Sequence, residues 1–157
     1  MNKKGFTLVE LLAVIVILGV IATITSPILI GLIGDSRESA FKSSLTGVKK
    51  AIENDYSDNG FDTKRKYYYG GYENGTGGTS TRKLKVKKAD GSFEEVVMSG
   101  EINGKGLGTV STSGSIAVGI FTDEFCGLVK GNDVDVLKIG KDVSKQECIN
   151  RINSMQY

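Results

Sequence analysis

The sequence predicts an α+β protein in which a long N-terminal helix packs on a C-terminal antiparallel sheet. Residues 11–33 contain no charged side chain, and residues 36–57 continue as an amphipathic segment. Beyond residue 82, short segments of alternating apolar and polar residues are separated by glycine, asparagine and aspartate. Spacing of three to four residues indicates a helix, and strict alternation indicates strands. The chain is long enough for one modest domain besides its first helix.

The uncharged stretch predicts a membrane span, because roughly 20 apolar residues are needed for a helix to cross a bilayer. Lys3 and Lys4 precede the stretch and place the N-terminus in the cytoplasm. Glu10 lies at the head of the stretch, and an ionisable group inside a membrane segment indicates function by default. The alternative is a carboxylate at the membrane interface beside the two lysines. The stretch lacks a small-residue cleavage site after it, so an ordinary secretory signal is not expected.

The run Lys4-Gly5-Phe6-Thr7-Leu8-Val9-Glu10, followed by an apolar helix containing Pro27, resembles the leader and N-terminal helix of type IV prepilins. The resemblance covers the first third of the chain. It implies cleavage between Gly5 and Phe6 and N-methylation of Phe6 by a membrane peptidase that is also a methyltransferase. It also implies that Glu10 meets the N-terminal amine of a neighbouring subunit, and that the helix softens near Pro27 when the subunit leaves the bilayer. A kinked span that never leaves the membrane is the alternative for Pro27.

The domain organisation follows from this resemblance and the residue patterns. We expect residues 1–5 to be a leader, and residues 6–34 to be the half of the helix that spans the membrane and later forms the filament core. Residues 35–157 are expected to form a pilin-like head. Within it we expect an amphipathic helix half at 35–57, a loop at 58–81, an antiparallel sheet at 82–140 and a terminal helix at 144–155.

The composition excludes several functional classes. The net charge of +2 is accounted for by Lys3 and Lys4, so no global electrostatic argument favours nucleic acid. Histidine is absent, which removes His-based acid–base catalysis, Ser-His or Cys-His nucleophiles and His metal sites. We therefore expect neither an enzyme nor a cofactor.

The second half of the long helix presents one apolar stripe. Its members recur at three- or four-residue intervals, as expected for a helix that lays one side against a sheet: Phe41, Leu45, Val48, Ile52 and Tyr56. Ser57-Asp58-Asn59-Gly60 ends the helix, with Gly60 as the left-handed cap.

The predicted loop at 58–81 carries the run Lys64-Arg65-Lys66-Tyr67-Tyr68-Tyr69. Bases next to aromatics are typical of a platform for single-stranded nucleic acid. The alternative is a surface loop whose tyrosines cover the edge of the sheet. Asn74-Gly75-Thr76 fits the glycosylation pattern, and we interpret it as a turn.

The sheet is predicted as a meander of four or five strands. Leu84 and Val86 alternate with lysines, Asp90-Gly91 makes a turn, and residues 93–98 return with glutamates, which predicts a hairpin. Residues 99–115 are rich in glycine and are predicted to be mostly loop. Further strands are expected at 116–120, 125–130 and 134–139.

The terminal helix is predicted from the capping-box spacing of Ser144 and Glu147. Cys126 and Cys148 are the only cysteines, and such a pair in an exported domain most often forms a disulfide. Many pilins similarly tie their C-terminal segment; two free buried thiols are the alternative. The acidic residues of the C-terminal third do not fit an EF-hand, so no metal is expected: Asp123, Glu124, Asp133 and Asp135.

The expected function is that of a type IV pilin, a homopolymer forming an extracellular filament for adhesion, twitching motility or DNA uptake. The implied partners are the prepilin peptidase, an inner-membrane assembly platform, an assembly ATPase, the membrane before assembly, and DNA or a host surface. The precursor would span the cell membrane once, and the product would lie on the bacterial surface. A pseudopilin of a type II secretion or competence system, a minor tip pilin acting as adhesin, and a monotopic enzyme with a signal anchor remain alternatives.

Overall fold

The computed structural model describes residues 5–63, 65–72 and 82–155. The chain divides into two compact units, Met1–Arg37 and Glu38–Tyr157, here called the N-terminal unit and the C-terminal unit. Lys3, Lys4, Lys64 and the Asn74-Gly75-Thr76 pattern lie outside the described residues.

The first helix, α1, runs over Leu8–Asp58 and so belongs to both units. Its C-terminal part buries the predicted stripe, with Phe41, Leu45, Val48 and Ile52 in the core and Tyr56 packed against it. Gly60 adopts a φ of 71°, and Phe61 N–H donates to the carbonyl of Tyr56 at 3.0 Å. This is the expected glycine-capped end of the helix.

The C-terminal unit contains a seven-stranded antiparallel sheet, so the α+β class is confirmed. In chain order the strands are β1 (Lys66–Tyr69), β2 (Leu84–Lys87), β3 (Phe93–Val96), β4 (Lys105–Val110), β5 (Ile116–Phe121), β6 (Phe125–Lys130) and β7 (Asp133–Lys138). Their spatial order is β3-β2-β1-β4-β5-β6-β7. The hairpin of β2 and β3 was predicted, whereas the simple meander was wrong, because β4 returns to pair with β1.

Two strands lie where the sequence predicted loop. β1 falls inside the predicted loop 58–81, and β4 falls inside the glycine-rich stretch 99–115. In β4, Gly108 faces Ile52 of α1, and a Cβ at Gly108 would collide with the Ile52 side chain. Gly108 therefore lets the helix approach the sheet closely, which is a packing role that turn statistics do not detect.

The sheet has a hydrophobic cluster on each face. The stripe of α1 packs on one face, together with Tyr67, Tyr69, Val118 and Val129. The second helix, α2 (Lys145–Ser154), packs on the other face over β4, β5 and β6. Its Ile152 lies so close to Gly119 that a Cβ there would be 2.6 Å from Ile152 Cγ1. Every residue of β5 is consequently buried.

The start of α2 was predicted correctly. Ser144 is the N-cap, and Glu147 N–H donates to Ser144 Oγ at 3.2 Å. The Glu147 carboxylate accepts a bond from Arg151 at 2.7 Å, one turn further along the helix. Such caps supply bonds to N–H groups that have no partner within the helix.

Candidate processing and assembly segment

The beginning of α1 is fixed by a reciprocal cap that sequence analysis missed. Thr7 precedes the helix and Glu10 is its third residue. Thr7 N–H and Thr7 Oγ1 donate to Glu10 Oε2 at 2.8 and 2.7 Å, and Glu10 N–H donates to Thr7 Oγ1 at 3.3 Å. These bonds form a capping box, whose Thr-x-x-Glu spacing was visible in the sequence.

The cap gives Glu10 a partner within its own chain. A carboxylate in the first turn is also favoured by the helix dipole. Both members of the cap lie after the Gly5–Phe6 bond, so cutting that bond would leave Thr7 N–H and both side chains in place. The cap is therefore compatible with processing, and it holds the Glu10 carboxylate at the first turn.

The expected cleavage point lies outside secondary structure. Gly5 and Phe6 precede α1, and the Phe6 side chain is 85% exposed. Within the part of the chain that the structure describes, no heavy atom lies within 4 Å of a Cβ built on Gly5 apart from its own chain neighbours. The peptide bond between these residues is thus open to an enzyme.

The apolar part of α1 is exposed on every side. All its large apolar side chains are at least half exposed: Leu8, Val9, Leu11, Leu12, Val14, Ile15, Val16, Ile17, Leu18, Val20, Ile21, Ile24, Ile28, Leu29, Ile30, Leu32 and Ile33. Among the described residues, α1 is one helix that is long enough and apolar enough to cross a membrane, judged by length and composition alone. A helix that is apolar all round needs cover from lipid or from other protein.

Pro27 lies inside α1, which continues through it. A proline removes the bond to the carbonyl four residues earlier, here that of Thr23. The nearby hydroxyls donate to other carbonyls: Thr23 Oγ1, Thr25 Oγ1 and Ser26 Oγ donate to the carbonyls of Val20, Ile21 and Ala22 at 2.7, 3.0 and 2.7 Å.

Cys126 and Cys148 form a disulfide with a Cα–Cα distance of 5.9 Å. It joins β6 to α2, and both residues are fully buried in the cluster beneath α2. The sequence separation of the two cysteines is 22. The disulfide therefore attaches the terminal helix covalently to β6, the strand next to the edge strand β7.

Residues 66–69 of the predicted nucleic-acid run form β1 and are divided between its two faces. Tyr67 and Tyr69 are fully buried under α1, so neither can cover a sheet edge or stack on a base. Tyr67 OH donates to Asp55 Oδ2 at 2.8 Å, and Arg65 Nε lies 3.2 Å from the same oxygen. Burial, followed by the bond to Asp55, raises the pKa of Tyr67. Tyr67 and Arg65 therefore attach the start of β1 to the end of α1.

The hydroxyl of Tyr69 holds the return connection to β4. It accepts from Ile102 N–H at 2.8 Å and donates to the Ile102 carbonyl at 2.9 Å. Burial is the main reason that the pKa of Tyr69 is raised. A polar tip satisfied in this way allows a tyrosine to occupy a core position.

The acidic residues considered for calcium are not gathered together. Asp123 Oδ1 accepts from Lys145 Nζ at 2.7 Å, and this bond lowers the pKa of Asp123. Asp133 and Asp135 lie on β7. Within the described ranges, no group of three or more potential metal ligands occurs.

Comparison with known proteins identifies the N-terminal segment. Residues 1–26 match the family model of the prokaryotic N-terminal methylation motif. Neither a curated protein nor a solved structure gives a significant match to the chain. The comparisons therefore concern the segment that contains Gly5, Phe6 and Glu10.

Proposed function

We propose that this chain, whose methylation motif supports a type IV pilin-like prepilin, is the structural subunit of a type IV pilus. It is cut between Gly5 and Phe6, methylated at the new Phe6 amine, and polymerised through its N-terminal helix into an extracellular filament. The filament acts in adhesion, motility or DNA uptake.

One observation supports polymerisation above all others. The apolar side chains of residues 8–33 are exposed in the isolated chain. Lipid covers such a surface in the precursor, and copies of the same helix cover it in a filament. Contacts between unlike surfaces of identical subunits generate helical polymers when the rotation between subunits does not close a ring.

The proposed partners follow the path of the subunit. A prepilin peptidase and methyltransferase acts on Gly5 and Phe6 while the chain spans the membrane. An inner-membrane platform and its ATPase then move the subunit into the filament. The motif and the apolar helix suit a membrane-anchored precursor of this kind.

Glu10 has two separable roles in this proposal. Its cap with Thr7 starts the helix, and its charge pairs with the N-terminal amine of a neighbouring subunit. Removing one partner of a buried ion pair costs roughly 3–5 kcal/mol, whereas the intact pair contributes little net stability. The pair would therefore select the register of the incoming helix rather than strengthen the filament.

Two substitutions separate these roles. Glu10→Gln keeps a side chain suited to the cap but removes the charge, whereas Thr7→Val removes the capping hydroxyl and keeps the charge. We expect Glu10→Gln to be cut and held in the membrane but to give few fibres, and Thr7→Val to give more. Normal fibre yield from Glu10→Gln would remove the register role.

The processing step is tested on protein sheared from the cell surface. N-methylphenylalanine as its first residue, derived from Phe6, is expected from N-terminal sequencing and mass spectrometry. Recovery of the chain only from membranes, with residues 1–5 still attached, would overturn the proposal.

The same N-terminal segment would serve a pseudopilin or a minor tip subunit. Quantification of the chain in purified fibres separates these functions. A principal subunit is the main protein of the fibre, whereas a tip subunit is rare and its deletion leaves fibres intact.

A further inference from the structure

The outer face of the β3-β2-β1 side of the sheet carries three lysines and two aromatic residues. On β1, Tyr67 and Tyr69 point into the core, so Lys66 and Tyr68 lie on the opposite face. On β2, Leu84 and Val86 are buried, and Lys85 and Lys87 lie outside. Phe93 of β3 is opposite Lys87. We call the set Lys66, Tyr68, Lys85, Lys87 and Phe93 the basic face.

Two of the three lysines of the basic face are opposite each other on neighbouring strands. Lys66 is directly opposite Lys87 in the register of β1 and β2, and Lys85 is opposite Tyr68. Like charges directly opposite each other destabilise a strand pair. This arrangement therefore opposes folding, and packing within the unit does not explain it.

Among the described residues, carboxylates do not neutralise the basic face. Glu95 of β3 lies opposite Lys85, but its carboxylate pairs with Lys83 at 2.7 Å. Throughout the described part of the chain, no carboxylate lies within ion-pair distance of Lys66, Lys85 or Lys87. Three ammonium groups on adjacent strands thus remain for an external anion.

The two aromatic rings lie among these charges. The ring centroids of Tyr68 and Phe93 are 5.7 Å apart with an interplanar angle of 72°. Phe93 is 39% exposed, and Lys87 Nζ lies 5.9 Å from its ring centroid. Tyr68 is half-buried on β1, and β2 lies between it and the strand that carries Phe93.

We propose that the basic face binds single-stranded nucleic acid. Lys66, Lys85 and Lys87 contact phosphates, and unpaired bases stack on Tyr68 and Phe93. Sheets that combine cationic and aromatic side chains bind single strands in this manner. Duplex DNA would engage the lysines but not the rings, because its bases are already stacked. An acidic polysaccharide or an anionic lipid would likewise interact with the lysines but would not stack on the rings.

This proposal deepens the proposed function, on which it rests only for its setting: an exported subunit meets nucleic acid outside the cell. The binding itself belongs to the C-terminal unit and does not require a filament. A soluble binding assay therefore fails or succeeds independently of cleavage at Gly5 and of fibre formation.

The test uses the full chain in an uncharged detergent and a fluorescein-labelled oligothymidylate of about 20 nucleotides, longer than known footprints of ~4–16 nucleotides. Fluorescence anisotropy is measured across a salt series. We expect Lys66→Gln/Lys85→Gln/Lys87→Gln to weaken binding at least ~10-fold at low salt. The slope of log affinity against log salt should fall by about 2, because each phosphate contact contributes roughly 0.7.

The control carries the same change of charge elsewhere. Lys42, Lys50 and Lys141 are exposed lysines outside the basic face, and Lys42→Gln/Lys50→Gln/Lys141→Gln should retain nearly full affinity. Equal weakening by both triple variants would show non-specific attraction and overturn the proposal. The basic-face triple variant should also unfold at the same or a higher urea concentration, since it removes repulsion.

The aromatic contribution separates nucleic acid from other polyanions. Phe93→Leu keeps an apolar side chain without a ring, and it should weaken oligothymidylate binding by about 5-fold or more. Heparin and vesicles rich in phosphatidylglycerol serve as comparison probes. Binding of either probe with no measurable binding of oligothymidylate, or unchanged oligonucleotide affinity in Phe93→Leu, would overturn the proposal.

Discussion

The two units share α1 and the same types of apolar residue, but these side chains are exposed in one unit and buried in the other. Leu18, in the N-terminal unit, is 58% exposed, whereas Leu45, in the C-terminal unit, is fully buried. Around Leu45 apolar residues recur along one side of α1, and a sheet folded from the same chain covers that side. Around Leu18 they occupy all sides, and more than one neighbour is needed to cover them.

This difference shows that burial depends on what the rest of the chain supplies. The C-terminal unit covers the apolar stripe of α1 with the cluster on one face of its sheet. The apolar surface of the N-terminal unit requires lipid or other copies. Substitutions of one type should therefore affect monomer stability in one unit and assembly in the other.

The largest effect is expected from matched leucine truncations. Leu45→Ala should lower the free energy of unfolding by about 2–5 kcal/mol, because it leaves a cavity between α1 and the sheet. Leu18→Ala should change it by less than about 0.5 kcal/mol, because that side chain is exposed. Urea unfolding of the detergent-solubilised chain, followed by tyrosine fluorescence, measures both.

Leu18→Ala, which should have the smaller effect on monomer stability, should have the larger effect on assembly into fibres. Leu18→Ala removes surface that copies of the helix would bury, so it should reduce fibre yield although the monomer is stable. A Leu18→Ala monomer as unstable as Leu45→Ala would contradict the division into an exposed and a packed unit.

Next in size is the effect of the disulfide, which lies in the C-terminal unit alone. Replacing Cys126 and Cys148 together by serine should cost about 3 kcal/mol of unfolding free energy in the chain-entropy estimate. α2 should then become sensitive to proteases before the rest of the unit. The measurement is urea unfolding combined with limited proteolysis, and alkylation of two thiols in unreduced folded protein would disprove the bond.

Glycine substitutions should repeat the comparison on a smaller scale. Gly119→Ala should cost about 1–3 kcal/mol, because its methyl group would overlap Ile152 of α2. In Gly34→Ala, no atom of the described residues outside the helix's own backbone lies within 4 Å of the new methyl group, and helix propensity improves by up to about 1 kcal/mol. Thermal unfolding of the head and helicity by circular dichroism measure the two effects. If Gly34→Ala destabilised the protein, another part of the protein would have to pack against α1 at this position, which would contradict the exposed surface of the N-terminal unit.

The parts of the fold that sequence predicted are those fixed by local periodicity. The stripe from Phe41 to Ile52, the turn at Asp90-Gly91 and the cap at Ser144 each depend on residues close in the chain. β1 and β4 were missed for the opposite reason. Tyr67 and Gly108 take their meaning from α1, which packs on them, and loop composition cannot reveal a neighbour distant in sequence.

The candidate site shows the same limit. The Gly5-Phe6 junction and Glu10 were recognised from a contiguous motif, and residues 1–26 match the methylation family model. The cap between Thr7 and Glu10 is equally local, but it was not predicted, because a charge within an apolar stretch also fits an ion pair with another subunit. The basic face required the register of three strands, which no local pattern contains.

The smallest effect concerns a single hydroxyl in the packed unit. Tyr67→Phe should cost about 0.5–1.5 kcal/mol at neutral pH, because the bond to Asp55 is lost. Tyr68→Phe, on the exposed face of the same strand, should change stability by less than about 0.5 kcal/mol.

Alkaline pH sharpens this last comparison. Burial raises the pKa of Tyr67, so the unfolded state, with a tyrosine pKa of about 10, ionises first. The contribution of Tyr67 to the free energy of unfolding is therefore fully present below about pH 10, and it is lost as the pH rises towards the folded-state pKa. Urea unfolding between neutral pH and pH values above 10 should show this fall, and Tyr67→Phe should make it shallower. An equal fall in wild type and Tyr67→Phe would mean that another buried tyrosine, Tyr69 or Tyr72, controls the alkaline transition, because burial raises the pKa of both.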